Sequence, residues 1–177
     1  MDTHKVEAVL NWPQPITLKA LRGFLGLAGY YRRFIQGFGI TARPLYDLLK
    51  KGTFHWNPAA STAFEELKVA ITSAPVLALP NFSKSFVVET DASGGGIGAV
   101  LLQDNRPIAF FSQGLCAKNQ ALSVYERELL ALVSAVQKWR PYLLGRPFVI
   151  KTDHHSLKYL LEQRITTPSQ QKWLIKL

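Results

Sequence analysis

The sequence predicts an α/β fold for residues 81–177, a mixed sheet with flanking helices, preceded by a small, mainly helical unit over residues 1–80. Three observations predict it. Short runs of β-branched and aromatic residues separated by turn residues follow one another between Ser85 and Ser112, as in an antiparallel meander. An apolar run ending on aspartate, Phe86-Val87-Val88-Glu89-Thr90-Asp91, returns as Phe148-Val149-Ile150-Lys151-Thr152-Asp153 after a long helical pattern, the crossover that parallel strands require. Before about residue 75 the apolar residues recur at helical spacing instead.

Pro13 and Pro15 mark a loop, because two prolines remove backbone donors, and Thr17 is placed to cap a helix running from about Leu18 to Ile35. Leu21, Phe24, Leu25, Ala28 and Tyr31 form its apolar stripe, with Arg22, Arg32 and Arg33 off it. A second helix is expected near Thr41–Leu49 and a third near Pro58–Thr72, where Phe64, Leu67 and Ile71 supply the apolar positions. Pro75 and Pro80 end the helical pattern and place the domain boundary there, dividing the chain into residues 1–80 and 81–177.

The second part reads as strands over Ser85–Asp91, Ile97–Gln103 and Pro107–Ser112, separated by Gly94-Gly95-Gly96 and by Asp104-Asn105. A helix from about Ser123 to Tyr142 follows, with Leu122, Tyr125, Leu129, Leu132, Val133 and Val136 as its buried stripe. A strand Pro147–Asp153, a helix from about His155 to Glu162 and an apparent helix from Ser169 complete the reading. The glycine run opens no helix, so it is a hairpin turn and not a phosphate cradle.

Composition narrows the function classes. Apolar residues make up 47% of the chain, ample for a packed core. Residues 1–75 hold 9 basic and 5 acidic residues and residues 76–177 hold 12 and 7, so the net charge of +9 is spread over both parts and favours a polyanionic partner. Cys116 is the only cysteine, which leaves no disulfide framework and no thiolate metal site. No run reaches the roughly 18 to 20 apolar residues of a membrane span, and the start lacks a signal peptide's apolar block. The expectation is an intracellular protein, neither secreted nor membrane-bound. With Met1 its only methionine and its end inside a helical pattern, the chain reads as a gene fragment or excised piece.

If the two echoed strands lie side by side and parallel, Asp91 and Asp153 share one sheet edge, where open α/β sheets place their ligands. Two carboxylates so placed repel each other and call for a cation, and oxygen-only ligands favour Mg²⁺ or Mn²⁺. A third carboxylate is expected from the crossover helix. At about 100° per residue, Glu126 and Glu128 fall near opposite margins of its buried stripe, and periodicity does not choose between them. Strand-end capping for the aspartates and a solvated flank for either glutamate are the plainer readings.

Four ordered motifs carry a resemblance. Thr90-Asp91-Ala92-Ser93 through Gly98-Ala99-Val100-Leu101, Pro107-Ile108-Ala109-Phe110-Phe111-Ser112, Glu126-Arg127-Glu128-Leu129-Leu130-Ala131 and Thr152-Asp153-His154-His155-Ser156-Leu157 together resemble the RNase H domain of gypsy-like LTR-retrotransposon Pol polyproteins. Leu21-Arg22-Gly23-Phe24-Leu25-Gly26-Leu27, Gly29-Tyr30-Tyr31-Arg32-Arg33-Phe34-Ile35 and Phe64-Glu65-Glu66-Leu67-Lys68 resemble the reverse transcriptase thumb of the same polyprotein. The resemblance implies an RNase H-like fold behind a thumb-like domain. The implied activity is hydrolysis of the RNA strand of RNA·DNA hybrids during reverse transcription, with Asp91, Glu128 and Asp153 as catalytic and metal-binding carboxylates for a pair of Mg²⁺ or Mn²⁺ ions. It selects Glu128, the glutamate directly before the Leu-Leu pair, and leaves Glu126 as a flanking residue.

Hybrid selection is implied to come through the 2′-hydroxyl and helix shape, with phosphate contacts setting register. Lys118, Asn119 and Ser123, just before the catalytic helix, and the thumb arginines Arg32 and Arg33 are the candidate contacts, a polar loop and a solvated face being the plainer readings. His154 and His155 read as a turn or helix start, since adjacent histidines point apart. The implied partners are the hybrid and the rest of the polyprotein (palm, fingers and integrase), in the cytoplasm, a virus-like particle or the nucleus. No polymerase palm is present. The family's fourth carboxylate lies on a later helix, beyond Leu177, so the expected activity is one impaired by truncation. The alternative is an inactive, nucleic-acid-binding transposon remnant. An integrase-like core ranks last, because its acidic residues run Asp, Asp, Glu and here the order is Asp, Glu, Asp.

Overall fold

A computed structural model describes residues 3–50, 52, 54–153, 157 and 171. The chain divides into two compact units, Met1–Val76 and Leu77–Leu177.

The first unit is helical. Thr17 caps α2 (Leu18–Tyr31), its hydroxyl accepting from the Ala20 N–H at 3.1 Å. Ahead of it a short helix, α1 (Thr3–Leu10), buries Val9; too short for a clear apolar period and without a capping signal, it was not legible in the sequence. The expected helix over Leu18–Ile35 stops at Tyr31 and tightens into a 3-10 turn, Arg32–Phe34, because Ile35 turns to extended backbone and buries its side chain in the core. In place of one helix over Thr41–Leu49 there are two short ones, α3 (Phe38–Thr41) and α4 (Arg43–Asp47). Pro44 has no N–H to carry the first helix onward but suits the opening turn of the next. Pro58–Thr72 is α5 over the whole expected span: Asn57 Oδ1 accepts from the Ala60 N–H at 2.8 Å and Pro58 sits in the first turn. Leu21, Phe24, Leu25 and Ala28 of α2 pack in one core with Phe64, Leu67 and Ile71 of α5.

The second unit is the expected α/β fold. Strands β1 (Phe86–Ala92), β2 (Gly96–Gln103) and β3 (Arg106–Gly114) form an antiparallel meander, and β4 (Phe148–Thr152) extends it to a mixed sheet of order β3-β2-β1-β4. Asp104 and Asn105, at φ 49° and 59°, make the tight β2–β3 turn, a left-handed pair that short polar side chains tolerate. At the β1–β2 corner the Ser93 hydroxyl accepts from the Gly95 and Gly96 N–H groups at 3.3 and 3.2 Å. Buried Gln103 ties the entering chain to the sheet, accepting from Asn81 N–H at 2.8 Å and donating to the Asn81 and Lys84 carbonyls.

The crossover from β3 to β4 holds α6 (Ala117–Gln120), α7 (Val124–Lys138) and α8 (Arg140–Leu143). Lys118 and Asn119, expected in a polar loop, stand on the helical turn α6. The helix expected to run to Tyr142 breaks at Trp139, because Pro141 cannot donate to the preceding turn; α8 restarts with that proline in its first turn. Leu129, Leu132, Val133 and Val136 of α7 pack on Phe86, Val88, Ala99 and Leu101, so α7 covers one face of the sheet. The helices expected at residues 155–162 and 169–177 fall outside the described residues, apart from positions 157 and 171. Among the described residues, no helix is long and apolar enough to cross a membrane.

Candidate metal centre at the sheet edge

The echoed hexapeptides pair in parallel without an offset: Phe86 lies beside Phe148, Val88 beside Ile150, and Thr90 beside Thr152. Asp91 and Asp153 follow the last of these pairs, so both carboxylates leave the sheet at the same edge. Both are exposed. Glu128 comes to them from the second turn of α7, with only 3% of its surface accessible. One carboxylate oxygen from each of Asp91, Glu128 and Asp153 lies within 4.8 Å of the other two.

Local bonding separates the two glutamates that periodicity left equivalent. Glu126 completes a capping box: its Oε2 accepts from the Ser123 N–H and hydroxyl at 3.1 and 3.0 Å, while Ser123 Oγ accepts from the Glu126 N–H at 3.2 Å. Its carboxylate is thus engaged in starting the helix. Glu128 Oε1 accepts from the Ala92 N–H at 3.0 Å, a bond from α7 to the end of β1 that spans 36 positions, whereas Oε2 is buried with no hydrogen-bond partner among the described residues. Burial pushes the Glu128 carboxyl up to about 7, and the negative charges of Asp153 and Asp91 push the same way; the Ala92 N–H and the Arg127 guanidinium act in the opposite direction.

Three oxygen donors at one edge, one of them a buried oxygen lacking any donor, fit a hard divalent cation. A cation there would offset both the mutual repulsion and the desolvation that raise Glu128. The residues present therefore suit Mg²⁺ or Mn²⁺.

Of the other candidates, Ser123 lies beside the site helix with its hydroxyl engaged in the cap. Lys118 is exposed on α6 and Asn119 is half-buried there. Arg32 and Arg33 belong to the first unit, both exposed, the Arg33 guanidinium 4.8 Å from the Phe34 ring centre. His154 and His155 lie outside the described residues. Two groups at the site escaped the sequence reading. One is the Ala92 N–H, a backbone donor that no side-chain pattern signals. The other is Arg127, whose only signal is its place between the two glutamates, on the half-buried flank of α7.

Residues 81–177 match the model of the RNase H-like domain found in reverse transcriptase. The chain belongs to that family. Similarity to gypsy-like retrotransposon Pol sequences runs along nearly the whole chain, helical region included. It is 42% identical over 175 residues to the retrovirus-related Pol polyprotein from transposon 297 of Drosophila melanogaster, covering 98% of this chain and 16% of that protein. It is 39% identical to the corresponding polyprotein from transposon gypsy of the same fly, covering 97% and 18%, and 39% identical to the transposon Tf2-3 polyprotein of Schizosaccharomyces pombe, covering 86% and 12%. The chain thus spans less than a fifth of the length of these curated relatives. Among solved structures, the foamy viral protease-reverse transcriptase dRH in complex with double-stranded DNA matches with a TM-score of 0.87 at 22% identity, over 99% of this chain and 33% of that one. The foamy viral protease-reverse transcriptase in complex with RNA/DNA hybrid matches at 0.83 and 23%, over 99% and 25%. The family and fold expected from the motifs are borne out: a retrotransposon RNase H-like domain with a four-stranded mixed sheet, preceded by a helical region.

Proposed function

We propose that residues 81–177 are a metal-dependent ribonuclease domain that hydrolyses the RNA strand of RNA·DNA hybrids during reverse transcription, with Asp91, Glu128 and Asp153 as its catalytic carboxylates. The observation that carries this reading is the meeting of those three carboxylates within 4.8 Å at the edge where β1 and β4 end. The substrate class follows the family and accords with the foamy viral relative solved with an RNA/DNA hybrid. Residues 1–80 serve as a thumb-like domain, on their similarity to the Pol polyproteins, and Arg32 and Arg33 are its candidate template contacts. No polymerase chemistry is assigned to this chain. The remaining Pol segments are its proposed partners.

Each residue has a physical task. The Ala92 N–H holds one Glu128 oxygen against the end of β1, which leaves the other oxygen directed by the helix rather than by solvent. Asp91 and Asp153 are both exposed, which suits them to meet a duplex backbone. The carboxylates of Asp91, Glu128 and Asp153 would hold a pair of Mg²⁺ or Mn²⁺ ions, which when bound supply Lewis-acid activation of water and charge neutralisation at the phosphate. A cation held there would favour the ionised form of Glu128, against the burial that raises its carboxyl. Water is the nucleophile, and no protein side chain forms a covalent intermediate.

The test is cleavage of a hybrid labelled on its RNA strand by this 177-residue chain with Mg²⁺ or Mn²⁺, beside the Asp91→Asn variant. RNA products made by the parent and absent with the variant are expected. If both proteins are folded and neither cuts, the chain is an inactive nucleic-acid-binding remnant.

A further inference from the structure

Arg127 stands between Glu126 and Glu128 but turns away from both tasks. Its Nη1 donates to the carbonyls of Leu122 at 2.9 Å and Gln120 at 3.2 Å. Those carbonyls close the C-terminal side of α6, where a four-residue helix leaves acceptors that its own backbone does not fill. The guanidinium of the following helix supplies the donors. Meanwhile Arg127 Nε is buried without an acceptor among the described residues, which costs about 1 to 3 kcal/mol. An apolar side chain would avoid that cost and pack as well on a half-buried flank, so stability alone does not account for an arginine. What a guanidinium does, and a methionine does not, is grip two carbonyls at once.

The segment it grips lies at the site's edge of the sheet. Gly114 at the end of β3 pairs with Gly96 at the start of β2, and the Leu115 N–H donates to the Gly95 carbonyl at 3.0 Å, in the corner that follows Asp91 and Ala92. The chain then passes through α6, with exposed Lys118, and enters α7 through the Ser123 cap five residues before Glu128. The whole segment is thus anchored at Leu115, at the cap, and between them by Arg127.

We propose that Arg127 is a positioning residue for the substrate's phosphate backbone: by holding the Gln120 and Leu122 carbonyls it fixes the α6 turn, and with it exposed Lys118, on the segment that leaves the same sheet edge as the three carboxylates. The proposal rests on the ribonuclease reading and deepens it by naming what places the duplex. Arg127 itself touches neither the reacting atoms nor the phosphate. Its removal frees α6, and Lys118 then spreads over many positions and loses its contact.

The experiment is a double-mutant cycle in the full chain with Lys118→Ala, Arg127→Gln and both together, each checked by circular dichroism. Hybrid cleavage yields KM and kcat at low salt, and fluorescence anisotropy yields the Kd of the same labelled hybrid with no need for cleavage. Lys118→Ala is expected to raise KM and Kd about five- to tenfold and to flatten the salt dependence by about one phosphate contact, leaving kcat nearly unchanged. Arg127→Gln is expected to raise KM and Kd by a similar factor and to flatten the salt dependence likewise, and the double variant to be no worse in Kd than either single one. Arg127→Lys, with its one point charge and flexible stem, should fall between parent and Arg127→Gln, and carries the test if Arg127→Gln does not fold. Single effects that multiply in the double variant, or a loss confined to kcat, overturn the proposal. Coupled Kd values without cleavage would refute the ribonuclease reading alone, while cleavage without coupling would refute this proposal alone. Neither binding nor cleavage by folded protein would refute both.

Discussion

Replacing Glu128 by glutamine should change how the stability of the metal-free protein depends on pH. The folded carboxyl titrates at about 7 against an ordinary value of 4.5, a difference worth about 3 kcal/mol. Between those values the unfolded chain has lost the proton and the folded chain keeps it. Stability therefore falls as pH rises from about 4.5 through about 7, and the loss is complete above the folded value. Glutamine cannot ionise, yet its carbonyl oxygen can still accept from the Ala92 N–H. Its amide group would be unpaired where Oε2 is unpaired now, a penalty that does not vary with pH. The parent's stability minus the variant's should thus drop by about 3 kcal/mol between pH 4 and pH 8 in EDTA. Urea unfolding across that range measures it, with a relative midpoint shift of roughly 1 to 3 M. Buried Trp139 is a fluorescence reporter for the second unit. With saturating Mg²⁺ the trend should reverse, because a cation favours the ionised carboxylate that the variant lacks. A difference that stays flat within about 0.5 kcal/mol from pH 4 to 8 in EDTA would refute the reasoning, since a buried carboxylate with only one oxygen bonded must register in the linkage.

Mg²⁺ or Mn²⁺ should raise the melting temperature of the parent at pH 7.5, and less so that of Asp91→Asn or Asp153→Asn; equal shifts in all three would place the ion elsewhere. Leu129→Ala, which removes a fully buried α7 side chain from the sheet-facing core, should cost about 2 to 5 kcal/mol by urea unfolding. Ser123→Ala should cost about 0.5 to 2 kcal/mol through loss of the cap, and Glu126→Gln should cost less because it keeps an acceptor for the Ser123 N–H. If Glu126→Gln reduces hybrid cleavage as much as Glu128→Gln does, the division of labour between the two glutamates is wrong.

The echo of Phe86–Asp91 in Phe148–Asp153 determined more about this protein than any other pattern in the chain. It identified two strands, their parallel pairing and their shared edge, and the observed register has no offset between them. Such information is local, since β-branched runs, turn residues and a crossover of sufficient length are all visible along the chain. The same holds for α5, bounded by Asn57 and Pro58 at its start. Helix ends were less legible where two signals competed. Leu18–Ile35 and Ser123–Tyr142 keep an apolar period past the points where Ile35 and Pro141 end the hydrogen-bond ladder.

Tertiary structure decided which glutamate meets the two aspartates. Glu126 and Glu128 are both glutamates on the margins of one stripe, and the motif alone favoured the second. Their difference lies in partners. Glu126 bonds three residues back along its own helix, whereas Glu128 reaches a backbone N–H that is 36 positions away in sequence and adjacent only after β1 and α7 pack. Burial of Glu128 and the unpartnered Oε2 arise from the same packing. Residue type and spacing along one chain could nominate these groups; solvent exclusion and hydrogen-bond partners depend on what the rest of the chain brings beside them.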